Sequence, residues 1–182
     1  MQPRKQHLVD TALALFNQNG YHATGIDLIL AQSKVSKATL YKHFRSKDEL
    51  ILAVLEQRHN QVLANIHQKI EQATSPKMHP VLAIFDALDE WFNSDNFYGC
   101  SFINASAEYA AALDPIHVFA AQHKQAIVDL INTQLTPSDA KLAEQISLLV
   151  EGAIVMAHTR GIKNSAITAK EMALNLLATS QK

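Results

Sequence analysis

Apolar residues recur every three to four positions from Leu8 to Leu177, and the prolines and most of the glycines fall at the ends of these runs. That period puts apolar side chains on one face of a helix, whereas a half-buried strand needs strict alternation. No Asn-Gly or Asp-Gly pair stands between alternating runs, and only 5 Gly and 5 Pro occur in 182 residues. The chain therefore reads as all-α, with about nine helices and no strand.

The ends of the runs carry helix punctuation. Leu8, Val9, Ala12, Leu13 and Phe16 form a stripe closed by Asn19-Gly20, as at a helix C-terminus. Ile26 to Leu30 makes a short second helix, and Ser36 stands as N-cap of a third in which Leu40 and Phe44 share a face. Ser46 with Glu49 is a capping box opening a long helix that runs to Ser75-Pro76. Val81 to Phe92 and Ser101 to Leu113 are the next two helices. Asp114-Pro115 is a cap followed by a first helical position, and Thr136-Pro137-Ser138-Asp139 repeats that grammar for a helix ending at Gly161. Thr168 with Glu171 reads as a second capping box, for the terminal helix.

Charge separates the chain where composition does not. The formal net charge is only -1, which as an average argues against nucleic acid. Residues 1–60, however, hold eight basic residues (Arg4, Lys5, Lys34, Lys37, Lys42, Arg45, Lys47, Arg58) against five acidic ones (Asp10, Asp27, Asp48, Glu49, Glu56). From Ser33 to Lys47 there are five basic residues and no acidic one, and the same stretch holds the tight connection between the two short helices and the second of them. A short helix held proud of its neighbours and flanked by cations can enter a DNA major groove. With Leu40 and Phe44 turned inward, Lys37, Ala38, Thr39, Lys42 and His43 remain on the other faces. A merely solvated basic face would have the same composition.

Residues 8–56 resemble the N-terminal domain of TetR/AcrR-type transcriptional regulators, through G-Y-H-A-T-G-I-D-L-I-L-A-Q-S-K-V-S-K-A-T-L-Y-K-H-F-R-S-K-D-E-L. The resemblance implies a helix-turn-helix domain over residues 1–47 and a helical ligand-binding and dimerisation bundle over 48–182. It implies that Ser36 caps the recognition helix and that Lys37, Thr39 and Lys42 or His43, with Ala38 among them, face base edges. It also assigns Thr24, Tyr41 and Lys47 to phosphates, a role for which a hydroxyl, a phenol and an ammonium are suited. Lys34 departs from the family, which usually has Gly in the turn, so a strained or shifted turn is expected there.

By the same resemblance the partners are double-stranded operator DNA, a small-molecule effector, and a second copy of the chain through about residues 137–180. The expected function is a repressor on a palindromic operator. Small residues on the late stripes (Ala143, Ala153, Ala157, with Gly152 adjacent) suit close helix packing, either in such an interface or in an ordinary core. The aromatic middle of the chain would surround the effector, with Phe85, Trp91, Phe92, Cys100, Phe102, Asn104, Tyr109, Phe119 and His123 as candidates. Plain core has the same composition. G-C-S-F-I-N-A-S-A-E-Y, residues 99–109, is similar to a segment recurring in a subset of these regulators.

Enzyme chemistry finds little support. Gly20 and Gly25 have P-loop spacing, but Ile26-Asp27 replaces the Lys-Ser/Thr that would hold phosphate and magnesium. None of the 9 His stand three or four apart, so neither a metal site nor a cofactor is expected. A single cysteine excludes an intramolecular disulfide, and the first apolar stretch is interrupted by Asp10, so a cytoplasmic protein with no membrane span is expected. The alternative is a helical sensor or adaptor acting through protein contacts, with Cys100 responding to oxidants or electrophiles.

Overall fold

Caps written into the sequence become helix ends in the computed structural model, which describes residues 3–73, 79–136 and 140–180. Among the described residues there are nine α-helices and a 3-10 turn, and no strand. The helices are α1 (Pro3–Asn19), α2 (Ile26–Ser33), α3 (Lys37–His43), α4 (Lys47–Gln72), α5 (Ala83–Phe92), α6 (Ser101–Glu108), α7 (Pro115–Thr133), α8 (Ala140–Arg160) and α9 (Ser165–Ser180), with the 3-10 turn at Pro80–Leu82. Asp114 Oδ1 accepts from the Ile116 amide at 2.8 Å, as a cap before Pro115 should. The expected stop at Ser75-Pro76 and all but Thr136 of the Thr136–Asp139 cap lie outside the described residues.

Three local expectations change. The Ser46 hydroxyl accepts from the Glu49 amide at 3.1 Å, but the Glu49 carboxylate accepts from the Arg45 amide at 2.7 Å instead of closing the box on Ser46. The helix expected over Ser101 to Leu113 ends at Glu108. Ala110 to Ala112 favour helix, yet continuing would bury nothing, since Leu113 is 92% exposed. Finally, α9 starts at Ser165, three residues before the supposed capping box. The buried Ser165 hydroxyl donates to the Ala153 carbonyl at 2.8 Å and draws the helix start onto α8, leaving Thr168 inside the first turn.

Lys34 sits at φ 54°, ψ 28°, the left-handed conformation that the missing glycine would adopt freely. A side chain there costs about 1 kcal/mol. Lys34→Gly is therefore expected to raise the melting temperature by about 2–4 °C. A differential scanning measurement returning the wild-type value or lower would contradict this.

Packing divides the chain into two units: Met1–Asn60 with Cys100–His123, and Gln61–Gly99 with Lys124–Lys182. In the first, α1 packs on α2 and α3, and Leu8, Val9, Phe16, Ile29, Leu40 and Leu50 are buried. In the second, α9 packs on α8 and α5, burying Phe85, Phe92, Ile146, Ala173 and the three alanines Ala143, Ala153 and Ala157. Those alanines let α8 approach its neighbours within the protomer. Gly152 is exposed, and a Cβ added to it would meet nothing within 4 Å.

Candidate nucleic-acid interface

A seven-residue helix does not persist alone in water, so α3 depends on its cap and its buried face. The Ser36 hydroxyl accepts from the Thr39 amide at 3.2 Å and lies 2.9 Å from the Thr39 hydroxyl. Leu40 is fully buried and Phe44 nearly so. Burying two side chains of this size contributes about 1.5–3 kcal/mol each, and the Lys5 ammonium stands over the Phe44 ring at 5.3 Å.

With that face turned in, Lys37, Ala38, Tyr41 and Lys42 are exposed. Thr39 and His43 are half-buried, and with Lys42, Pro3 and Arg4 they line a shallow open depression. The structure thus brings Arg4 beside α3. Its charge was visible in the sequence, but the lining could not be inferred from periodicity.

Two expected phosphate donors are already engaged. Thr24 is completely buried and its hydroxyl donates to the Gly20 carbonyl at 2.7 Å, so it holds the turn after α1 and presents no hydroxyl outward. The Leu15 carbonyl lies 3.3 Å from the same hydroxyl, and nothing in the local sequence marks either partner. Lys47 Nζ donates to the His22 carbonyl at 3.3 Å; partial burial lowers its pKa, against the opposing pull of the Asp48 and Glu108 carboxylates.

The nine effector-pocket candidates are shared between the units. Phe85, Trp91 and Phe92 belong to the second, where Trp91 and Phe92 each pack a ring at 5.0 Å from Phe97. Cys100, Phe102, Asn104, Tyr109, Phe119 and His123 belong to the first. There the His123 ring lies flat on Phe102 at 3.5 Å, its Nδ1 is 3.0 Å from Nδ1 of His59, and His59 meets Phe119 edge-on at 6.0 Å. His59 was not foreseen, because its partner lies 64 positions away. Cys100 is buried and immediately precedes α6 without capping it through its side chain. Among the described residues no three His, Cys, Asp or Glu groups come together to hold a metal, and no helix is long and apolar enough to cross a membrane.

Residues 8–54 match the family described as bacterial regulatory proteins, tetR family. The HTH-type transcriptional activator FasR of Mycolicibacterium smegmatis is 36% identical over 89 residues, 47% of this chain and 41% of that protein. The HTH-type transcriptional regulator UidR of Escherichia coli is 34% identical over 70 residues, 38% of this chain and 36% of that one. The alignments with these two relatives thus span well under half of their length. SCO4454, a TetR-family transcriptional regulator from Streptomyces coelicolor, superposes with a TM-score of 0.88 at 29% identity, over 98% of this chain and 96% of its own. The reduced form of E. coli NemR shares the fold, with a TM-score of 0.84 at 18% identity over 94% and 95% of the two chains. Residues 8–54 thus carry the N-terminal domain of the tetR family of bacterial regulatory proteins, and the helical fold as a whole is like that of a TetR-family transcriptional regulator.

Proposed function

We propose that the protein is a ligand-responsive transcriptional repressor that binds a palindromic operator as a homodimer and releases it when a small-molecule effector binds. The reading rests first on α3: an inward face of Leu40 and Phe44 leaves Lys37, Ala38, Tyr41 and Lys42 outward, in a stretch without a single acid. Residues 1–47 are the DNA-binding domain, and 48–182 the effector and dimerisation part. Lys37, Thr39, Lys42 and His43 serve base edges and neighbouring positions, while Tyr41 and Arg4 serve phosphates. The first unit's Phe102, Phe119, His59 and His123 are aromatic and polar in the mixture an effector site requires.

The homodimer is supported by the outward face of the last two helices. On α8, Leu148 is 71% exposed and Val155 44%, and with Gly152 they recur at the spacing of one helical stripe. On α9, Ile167 and Leu174 repeat the pattern seven residues apart, 49% and 44% exposed. Mid-helix glycine costs about 1 kcal/mol relative to alanine, and no neighbour in the protomer needs Gly152 to lack a Cβ. Close approach of a partner helix supplies that need. A dimer also matches the two-fold symmetry of a palindrome.

The decisive experiment is a gel shift with the duplex flanking the protein's own gene, repeated at rising salt. Specific retardation whose affinity falls steeply with salt supports the proposal; no binding at low salt would end it. Addition of candidate effectors to the preformed complex then tests release. Nearly complete switching requires about 10⁴-fold preference of the effector for the non-binding conformer.

A further inference from the structure

The segment from Gly99 to Tyr109 is explained neither by the DNA interface nor by the aromatic cluster alone. Ser101 and Glu108 turn toward the end of α1 and the turn that follows it. At the start of α6 the Ser101 hydroxyl donates to Asn17 Oδ1 at 2.9 Å, and the Ser101 carbonyl accepts from the buried Tyr21 hydroxyl at 3.0 Å. Seven residues later, the Glu108 carboxylate accepts from two successive backbone amides, Tyr21 at 2.8 Å and His22 at 2.5 Å. The Glu108 carbonyl lies 3.0 Å from His22 Nε2.

Tyr109 completes the arrangement. Its ring lies 4.7 Å from that of His22, and its hydroxyl is hydrogen-bonded to Asp48 in the first turn of α4. Burial, with the Asp48 and Glu108 carboxylates, pushes the Tyr109 phenol up to about 12, so the hydroxyl keeps the proton it donates. Gly20 makes the approach possible: its φ is +86°, and a Cβ there would stand 3.0 Å from Glu108 Oε1.

One hydrogen bond is a pivot; two attachments separated by the roughly 10 Å length of an eight-residue helix fix a bearing. We infer that α6 is a two-point clasp on the turn after α1, and that Glu108 is a positioning residue that sets the bearing of the DNA-binding head. Two amides converging on one carboxylate is the part that no neutral group can replace. A carboxamide offers one acceptor oxygen, and its NH2 would face the second N–H. The inference rests on the DNA-binding reading, because the bearing matters only when two heads must reach two half-sites together.

The test compares wild type with Glu108→Gln and Glu108→Ala, using as probe the palindromic duplex that wild type selects from a random library and the same duplex with one half-site scrambled. Melting temperature and helicity are recorded for each variant. Amide exchange is followed in the peptide covering residues 17–24. Both variants are expected to lose exchange protection there and to bind the full palindrome about tenfold more weakly, with half-site affinity within about twofold of wild type. Palindrome binding equal to wild type would overturn the inference. Equal losses on both duplexes with a lowered melting temperature would show a merely structural glutamate, and also overturn it. If wild type selects no duplex, the DNA-binding reading has failed by itself, and unchanged exchange in residues 17–24 would then separately overturn the clasp.

Discussion

Lys37→Ala combined with Lys42→Ala is expected to weaken operator binding by at least about a hundredfold, with the fold intact. Both side chains are exposed on α3, opposite the buried Leu40 and Phe44. Among the described residues neither lysine takes part in a hydrogen bond or ion pair that positions the helix, which is held by the Ser36 cap and the buried Leu40. A good base contact contributes about 1–3 kcal/mol, and a dimer presents each lysine twice. A lysine serving a phosphate shows itself differently: its removal flattens the salt dependence by about one unit of slope. Fluorescence anisotropy against salt, for each single and the double variant, separates the roles. Lys69→Ala is the control, because that cation lies in the second unit and pairs with Glu90. If the double variant binds as tightly as wild type, α3 is not the recognition helix.

Leu148→Glu with Val155→Glu is expected to convert a dimer into a monomer and to weaken binding of the palindrome by about 10²–10⁴-fold. The magnitude is that of losing the second, linked binding event. Both residues are substantially exposed in the protomer, so the added carboxylates remain in water when the chain is alone. In an interface they would face an apolar partner helix and be stripped of that water without a counter-charge. Light scattering should show one chain per particle, and circular dichroism an unchanged helix content. A variant that scatters as the wild type does would place the interface elsewhere.

How much of this was legible beforehand differs by residue. Gly20, Ser36, Asp114 and the stripe of Leu8, Val9, Ala12 and Phe16 could be read from spacing, because caps and amphipathic faces are decided within one or two turns of chain. At Lys34 the departure from the family's glycine left a strained or a shifted turn open, and the structure shows the left-handed conformation. Thr24 was misplaced because a threonine hydroxyl suits a phosphate and a carbonyl equally well, and the choice of the Gly20 carbonyl depends on how the turn folds. The extension of α6 to Leu113 failed because alanine propensity is weak against the absence of anything to bury.

The sequence by itself determined the helical period, the basic stretch from Ser33 to Lys47 and the family resemblance of residues 8–56, since periodicity, charge and a contiguous motif are local properties. Tertiary structure alone decided which surfaces meet. It assigned Ala143, Ala153 and Ala157 inward and Gly152 outward on one helix, a distinction that periodicity does not carry. It paired His59 with His123, and it set the Glu108 carboxylate on the amides of Tyr21 and His22, 87 and 86 positions away. A hydrogen bond depends on angstroms and direction, and between residues so far apart those are set only when every intervening helix has found its place.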